Sequence, residues 1–278
     1  MTRQIVPVLM YHHVHPGGGM ITTTPEHFED QLRWLSRRGY HTLSTAEFTR
    51  FLNHGQAPSK AVLLTFDDGY LDNWVYAAPL LRRYGMRATV FIVTGWIGDG
   101  PQRPCLSDGA PLPETPDHHE CERRIAHGAA DEVMLRWSEI GTLIEQGVME
   151  FHTHTHTHTR WDKQAVDKNA HMHEELSQSR QTLEQRLGSV SDHLCWPQGY
   201  FDPDYVRIAQ ELGFKYLYTT RAFGRNRPGM DPASIFRFAV RDTTGASLGR
   251  RVQVAGSPVL APPFNAWKRW KKSQHYKG

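Results

Sequence analysis

Short runs rich in branched and aromatic residues recur along this chain, and longer stretches of helical periodicity separate them. That alternation constrains the fold more than any other feature. The runs lie at 5–10, 61–65, 88–93, 148–151, 193–196, 216–219 and 236–240. Each is brief and almost continuously apolar, as strands buried on both faces of a parallel sheet are. Thr24 before Pro25 opens a helix with Phe28, Leu32 and Leu35 on one face, and Ser44 opens a second with Phe48, Phe51 and Leu52. Leu80, Leu81 and Tyr84 mark a third, Leu176, Ser179, Leu183 and Leu187 a fourth closed by Gly188, and Asp202-Pro203 starts a fifth that ends near Leu212-Gly213. Strand–helix alternation of this kind predicts right-handed βαβ units closed into a barrel or wound into an open sheet. At 278 residues the chain suits one such barrel over 1–255, with a separate tail at 256–278.

Residues 97–133 break the rhythm. Turns such as Gly98-Asp99-Gly100-Pro101 predict a long loop inserted over one rim of the barrel. Cys105, His118, His119, Cys121 and His127 fall within it and are candidates for a second zinc site, though their spacing is not diagnostic.

Charge and cysteine usage bear on location and partners. The three cysteines, Cys105, Cys121 and Cys195, form no C-x-x-C pair, which fits a reducing compartment. The apolar run at 5–10 is too short for a secretory h-region, so the expected location is cytoplasmic. Lys268, Arg269, Lys271, Lys272 and Lys277 crowd the last residues with no acid among them, interleaved with Trp267, Trp270 and Tyr276. Without those five, 27 of the 32 basic residues face 29 acids, so the body is slightly acidic. A basic, aromatic tail suits peripheral contact with an anionic membrane, on its inner face for a cytoplasmic protein. No second basic stripe supports a nucleic-acid partner.

Four groups at the ends of predicted strands carry chemistry. In Leu64-Thr65-Phe66-Asp67-Asp68-Gly69-Tyr70 a buried strand runs into adjacent carboxylates, which in an extended chain point in opposite directions. One could bind a metal while the other faces the reacting water; a plain Asp-Asp-Gly turn is the simpler alternative. The second group is His152, His154, His156 and His158, alternating with threonines. In a strand, His154 and His158 would stand ~13 Å apart. In a helical turn an i, i+4 pair comes within ~6 Å and can share one zinc. The strand is therefore expected to end near Phe151, with His154/His158 and His152/His156 equally allowed by spacing. The third group, Cys195-Trp196-Pro197-Gln198-Gly199-Tyr200, can turn a backbone N–H into a pocket. The fourth, Tyr11-His12-His13, offers a proton donor. All four lie at C-terminal strand ends, the rim where β/α barrels build active sites.

These motifs resemble those of the NodB-homology polysaccharide deacetylases, carbohydrate esterase family 4. Thr65-Phe66-Asp67-Asp68-Gly69-Tyr70 is similar to the first motif, His154-Thr155-His156-Thr157-His158 to the second, an H-[ST]-x-x-H, and Trp196-Pro197-Gln198-Gly199 to the third. Val8-Leu9-Met10-Tyr11-His12-His13-Val14 resembles the permuted branch that includes the poly-β-1,6-N-acetylglucosamine deacetylases, whose acid comes from the first strand. The resemblance implies a distorted (β/α)7 barrel and a divalent metal, Zn2+ first among candidates, on Asp68, His154 and His158. It implies Asp67 as general base, His12 as general acid and the Gln198 backbone N–H as oxyanion donor. Family members often carry an Arg where Cys195 stands here, and Arg237 on the last strand is the candidate substitute. The implied reaction removes N-acetyl groups from an N-acetylhexosamine of a polysaccharide or glycolipid, with a lipid-linked precursor fitting the tail. Two other readings are an amidase acting on a small non-sugar amide and a catalytically silent carbohydrate-binding module.

Overall fold

The computed structural model describes residues 4–275. Along the chain lie β1 (Val8–Tyr11), β2 (His13–Val14), β3 (Thr22–Thr23), α1 (Pro25–Arg37), β4 (His41–Thr42), α2 (Thr45–His54), β5 (Ala61–Asp68), α3 (Ala78–Arg83) and β6 (Ala88–Ile92). They are followed by α4 (His118–Ala126), α5 (Trp137–Glu145), β7 (Met149–Thr153), α6 (Lys168–Leu187), β8 (His193–Cys195), α7 (Pro203–Glu211), β9 (Tyr216–Tyr218), β10 (Phe238–Ala239), α8 (Gly245–Gly256) and α9 (Ala261–His275). The predicted caps form. Thr24 accepts from the His27 N–H, Ser44 and Glu47 make a reciprocal capping box, and Gly188 closes α6 in the left-handed conformation.

Seven parallel strands run β10-β1-β5-β6-β7-β8-β9, with β4 beside the start of β5. The two edges nearly meet. Tyr218 in β9 bridges Ile235 in parallel, and the Thr219 N–H donates to the Ile235 carbonyl at 3.0 Å, three residues before β10 begins. The sheet is thus the curled, distorted (β/α)7 barrel expected. Strand lengths differ from expectation at the rim. β5 continues to Asp68, and β7 continues past Phe151 to Thr153, because Ile92 still pairs with Thr153. β1 starts only after Pro7, which has no N–H for the ladder.

Side chains alternate across this wall. Leu64 and Phe66 face outward into a cluster with Phe28, Leu32 and Leu35 of α1, all fully buried. Each such side chain contributes roughly 1.5–3 kcal/mol. Leu63 faces inward with Val8, Phe91 and Tyr218, and Phe48, Phe51 and Leu52 of α2 plug that interior from the end opposite the rim. Residues 65 and 67 continue the inward series, which carries Asp67 into the barrel mouth.

The 97–133 insert is folded. It contains α4, and Tyr70, Cys121, Val133 and Met134 form a small core of their own. Its return pairs Met134 with Tyr70 and Arg136 with Gly98. Beyond the barrel, α9 buries Ala261 and Asn265, and the Asn265 amide donates to the Gly224 carbonyl. Trp267 and Trp270 point outward, 49% and 61% exposed.

Candidate active site

Asp67 and Asp68 both reach the mouth of the barrel, contrary to the opposed geometry expected of an extended pair. Asp68 leaves the strand conformation with φ 72°, and Gly69 follows at φ 91°. A Cβ at Gly69 would lie 2.7 Å from Ile92 Cγ2, so no other residue fits that exit. The described non-glycine residues with positive φ are Ile21, Asp68, Thr155, His158 and Gln198, and all but Thr155 line one cavity of about 350 Å³. Each such conformation costs on the order of 1–2 kcal/mol, so strain is concentrated at one place.

The histidine segment does not form a helical turn. It reaches the same end through left-handed residues at Thr155 and His158, which fold the chain back so that the His154 and His158 rings lie 5.0 Å apart. Glu175, buried on α6, holds this loop by accepting from the His156 and Thr157 N–H groups at 2.9 and 2.8 Å. The alternative pair does not form. His152 points down the barrel to Ser191 and Thr45, and His156 turns to Thr94.

Asp68 Oδ1 is 3.4 Å from His154 Nε2 and 3.6 Å from His158 Nε2. It is buried and has no hydrogen-bond partner. The His154 ring is oriented by its Nδ1, 2.8 Å from the Cys195 carbonyl, which leaves Nε2 with the lone pair. Burial lowers His154 to about 3 and His158 to about 4, so both are neutral ligand-type imidazoles. Burial and the neighbouring Asp67 charge push Asp68 up to about 7. One carboxylate oxygen and two imidazole nitrogens within 4.8 Å of one another, with the oxygen otherwise orphaned, fit a divalent cation of the zinc type. Asp67, His154 and Cys195 also converge, but burial pushes the Cys195 thiol well up, and both Asp67 oxygens are already engaged.

They are engaged by Arg237. Its guanidinium donates to Asp67 Oδ1 at 2.6 Å and Oδ2 at 2.8 Å, with a third contact to Cys195 Sγ at 3.0 Å, and it is fully buried. Burial alone would raise Asp67, but Arg237 and His154 outweigh it and hold the carboxyl well below the usual range. An arginine from β10's approach thus occupies the space beside a cysteine. His12 Nε2 stands 3.8 Å from Asp67 Oδ2, and burial lowers His12 to about 4 despite that charge. Gln198 lines the cavity with φ 53°, and its side-chain oxygen accepts from Arg160. A Cβ at Gly199 would meet Thr220 Oγ1 at 2.0 Å, which keeps this turn tight against the cavity wall.

The proposed second zinc set does not assemble. Cys105 packs in the main core and Cys121 in the insert's own, His119 is exposed, and the His127 ring bonds the Arg123 carbonyl. Among the described residues no ligand group of three includes them. Sequence reasoning missed Glu175, although a carboxylate four residues before Ser179 on the buried stripe of α6 was a signal. It placed the insert over the rim but did not resolve α4, whose residues line the cavity.

A family model described as polysaccharide deacetylase matches residues 54–217, more than half of the chain. A protein of Bacillus subtilis (strain 168) whose name includes the words polysaccharide deacetylase YxkH is 27% identical over 223 residues, covering 80% of this chain and 67% of that protein. The poly-beta-1,6-N-acetyl-D-glucosamine N-deacetylase of Staphylococcus aureus (strain N315) is 24% identical over 199 residues, covering 69% of this chain but only 59% of its own length. Among solved structures, Streptococcus pyogenes deacetylase PplD in complex with acetate aligns with a TM-score of 0.71 at 23% identity, over 91% of this chain and 99% of that one. IcaB from Ammonifex degensii aligns with a TM-score of 0.70 at 24% identity, over 91% and 98%. Those two share the fold. The family match and the motifs it spans make this chain a member of the polysaccharide deacetylase family, hydrolases of the NodB-homology type.

Proposed function

We propose that the chain is a metal-dependent hydrolase that removes N-acetyl groups from an N-acetylhexosamine of a polysaccharide or glycolipid and releases acetate. One observation carries the reading: an orphaned buried carboxylate oxygen faces two neutral imidazoles beside a second carboxylate clamped by a buried arginine. Asp68, His154 and His158 would hold the cation, and zinc suits the mixed oxygen and nitrogen donors. Bound there, it would acidify water and polarise an acyl carbonyl. The residues of the chain do the rest. Asp67, kept ionised and immobile by Arg237, accepts a proton from the attacking water. The Gln198 N–H donates toward the developing oxyanion. His12, whose Nε2 stands 3.8 Å from Asp67 Oδ2, receives the proton that Asp67 takes from the water and passes it to the departing nitrogen, which cannot leave as an anion.

The name of the Staphylococcus relative favours a β-1,6-linked glycan as the first substrate to try. The holoenzyme is expected to release acetate from such an oligomer. Release only from a small amide such as acetanilide would support the amidase reading instead. Metal binding with no turnover on either, indifferent to Asp67→Asn, would support a silent binding module.

A peripheral contact of α9 with an anionic membrane, in a cytoplasmic setting, belongs to the same proposal. No helix among the described residues is long and apolar enough to cross a membrane. Trp267 and Trp270 are exposed, and Lys268 and Lys271 lie over the Trp267 ring. Phe264 and Asn265 share a cavity with residues 5–8, at the start of β1, whereas the site lies beyond its end. A membrane-bound molecule would thus turn its rim away from the bilayer, which favours a polymer over a lipid-linked headgroup. Co-sedimentation with phosphatidylglycerol vesicles but not phosphatidylcholine vesicles, reduced by salt, is the expected result.

A further inference from the structure

The insert does more than cover the rim. His118, Glu122, Ile125 and Ala126 of α4 follow i, i+4, i+7, i+8 spacing, one stripe of a helix, and all four line the cavity that holds Asp67 and Asp68. Ile21 and Trp96 complete the upper wall. The floor of the cavity is ionisable and its walls are apolar, with His118 and Glu122 as the polar pair within the α4 stripe.

The His118 ring is held by a chain of buried groups. His118 Nδ1 is 3.2 Å from His13 Nε2, and His13 Nδ1 is 2.6 Å from Asp72 Oδ2. His13 and Asp72 are 1% and 2% exposed. The His13 ring stacks on Tyr70 with centroids 3.8 Å apart, and the Tyr70 hydroxyl is 3.4 Å from His118 Nδ1. The second oxygen of Asp72 accepts from the Val14 N–H and the Asn73 amide. Asp72 therefore fixes His13, His13 fixes His118, and His118 Nε2 is the ring nitrogen left over, 3.5 Å from Glu122 Oε1.

Tethering the helix does not require this chain. The core of Tyr70, Cys121, Val133 and Met134 and the bridge between Tyr70 and Met134 already do so. Burying a carboxylate and an imidazole is costly where apolar packing would serve. What the chain adds is a fixed ring orientation at a cavity wall.

We propose that this face of α4 binds a pyranose ring of the glycan, with its C–H face against Ile125, Ala126 and Trp96 and a hydroxyl on His118. In this arrangement Asp72 and His13 are positioning residues. The inference rests on the glycan reading above and names the element that recognises the sugar. Apolar walls with a few placed polar groups are the general design of such sites.

The test compares zinc-loaded enzyme on a β-1,6-linked N-acetylglucosamine oligomer and on p-nitrophenyl acetate, which has no sugar. His118→Ala is expected to lower the ratio of kcat/KM for oligomer over ester by about tenfold, chiefly through KM for the oligomer. His13→Gln is expected to shift the ratio in the same direction, and the double variant to be no worse than His118→Ala alone. Glu122→Gln, at an exposed position, gives a smaller fall in the ratio and guards against misfolding of the other variants. Equal losses on both substrates, or an unchanged ratio with the wild type active on the oligomer, overturn this inference alone. A wild type that cleaves only the ester overturns the glycan reading with it.

Discussion

Two pairs of histidines sit in the barrel at nearly the same separation, and only one is a candidate metal site. The lower pair, His152 and His193, has ring centroids 5.2 Å apart, and the upper pair, His154 and His158, 5.0 Å. Hydroxyls meet both nitrogens of each lower ring: Ser191 and Thr45 for His152, Tyr218 and Thr49 for His193. In the upper pair, His154 commits one nitrogen to a carbonyl and turns the other to an oxygen that has no partner. Closeness of imidazoles is therefore not what distinguishes the two. Unmet hydrogen-bonding capacity is, because a buried group without a partner costs about 1–3 kcal/mol until something meets it.

The contrast is tested most severely by replacing one member of each region. Asp68→Asn should abolish stoichiometric metal binding and lower deacetylation by more than about 10³-fold. His193→Ala should leave one bound metal per chain and instead cost about 1–3 kcal/mol of stability. Metal content by mass spectrometry and a denaturant titration read both, and a His193→Ala protein that also loses its metal would break the distinction.

Next in size is Arg237. Arg237→Met leaves Asp67 buried without its counter-charge and should destabilise the fold by about 3–5 kcal/mol. Adding Asp67→Asn should restore part of that stability while activity stays lost. If the double variant is as unstable as the single, the pair is not what holds the upper region together.

The smallest effect is a pH profile of the metal-free protein. Folded His12, His154 and His158 refuse protons until about pH 4, 3 and 4, whereas in the unfolded chain they take them near their usual value of about 6.5. The unfolded state then binds more protons in that window, so stability rises as pH climbs from about 4 to 6.5. Asp68 has the opposite sign. Raised to about 7 in the fold, it favours the folded state at low pH and erodes stability as pH rises from about 4. Three groups against one give a net rise, and Asp68→Asn should steepen it. Melting curves across pH 4–7 check the slope, and an unsteepened variant would show that Asp68 is not buried as an unpaired acid.

Much of this was legible in the sequence, for identifiable reasons. Caps and helical stripes are local, so Thr24, Ser44 and Gly188 marked their helices, and buried parallel strands are apolar enough to be found by eye. The family motifs chose His154 and His158 in a segment whose spacing alone left two pairs open, and these are the two that the fold brings beside Asp68. What escaped was non-local or conformational. The left-handed turns at Asp68, Thr155 and His158 run against residue preference, and tertiary pairing imposes them. The partnership of His118 with His13 joins positions 105 residues apart. Arg237 was reached only through the resemblance, as the substitute for an arginine absent at Cys195; no local pattern announces that it meets Asp67, because the barrel must close first.

That last dependence has a consequence for how the molecule matures. Arg237 stands between Ile235, which stitches β9 to the returning chain, and β10, which docks on β1. The same few residues zip the final seam and compensate the buried charge of Asp67. A nascent polypeptide still emerging, or one clipped ahead of this stretch, carries an uncompensated acid in an open trough, so competence arrives only with completion.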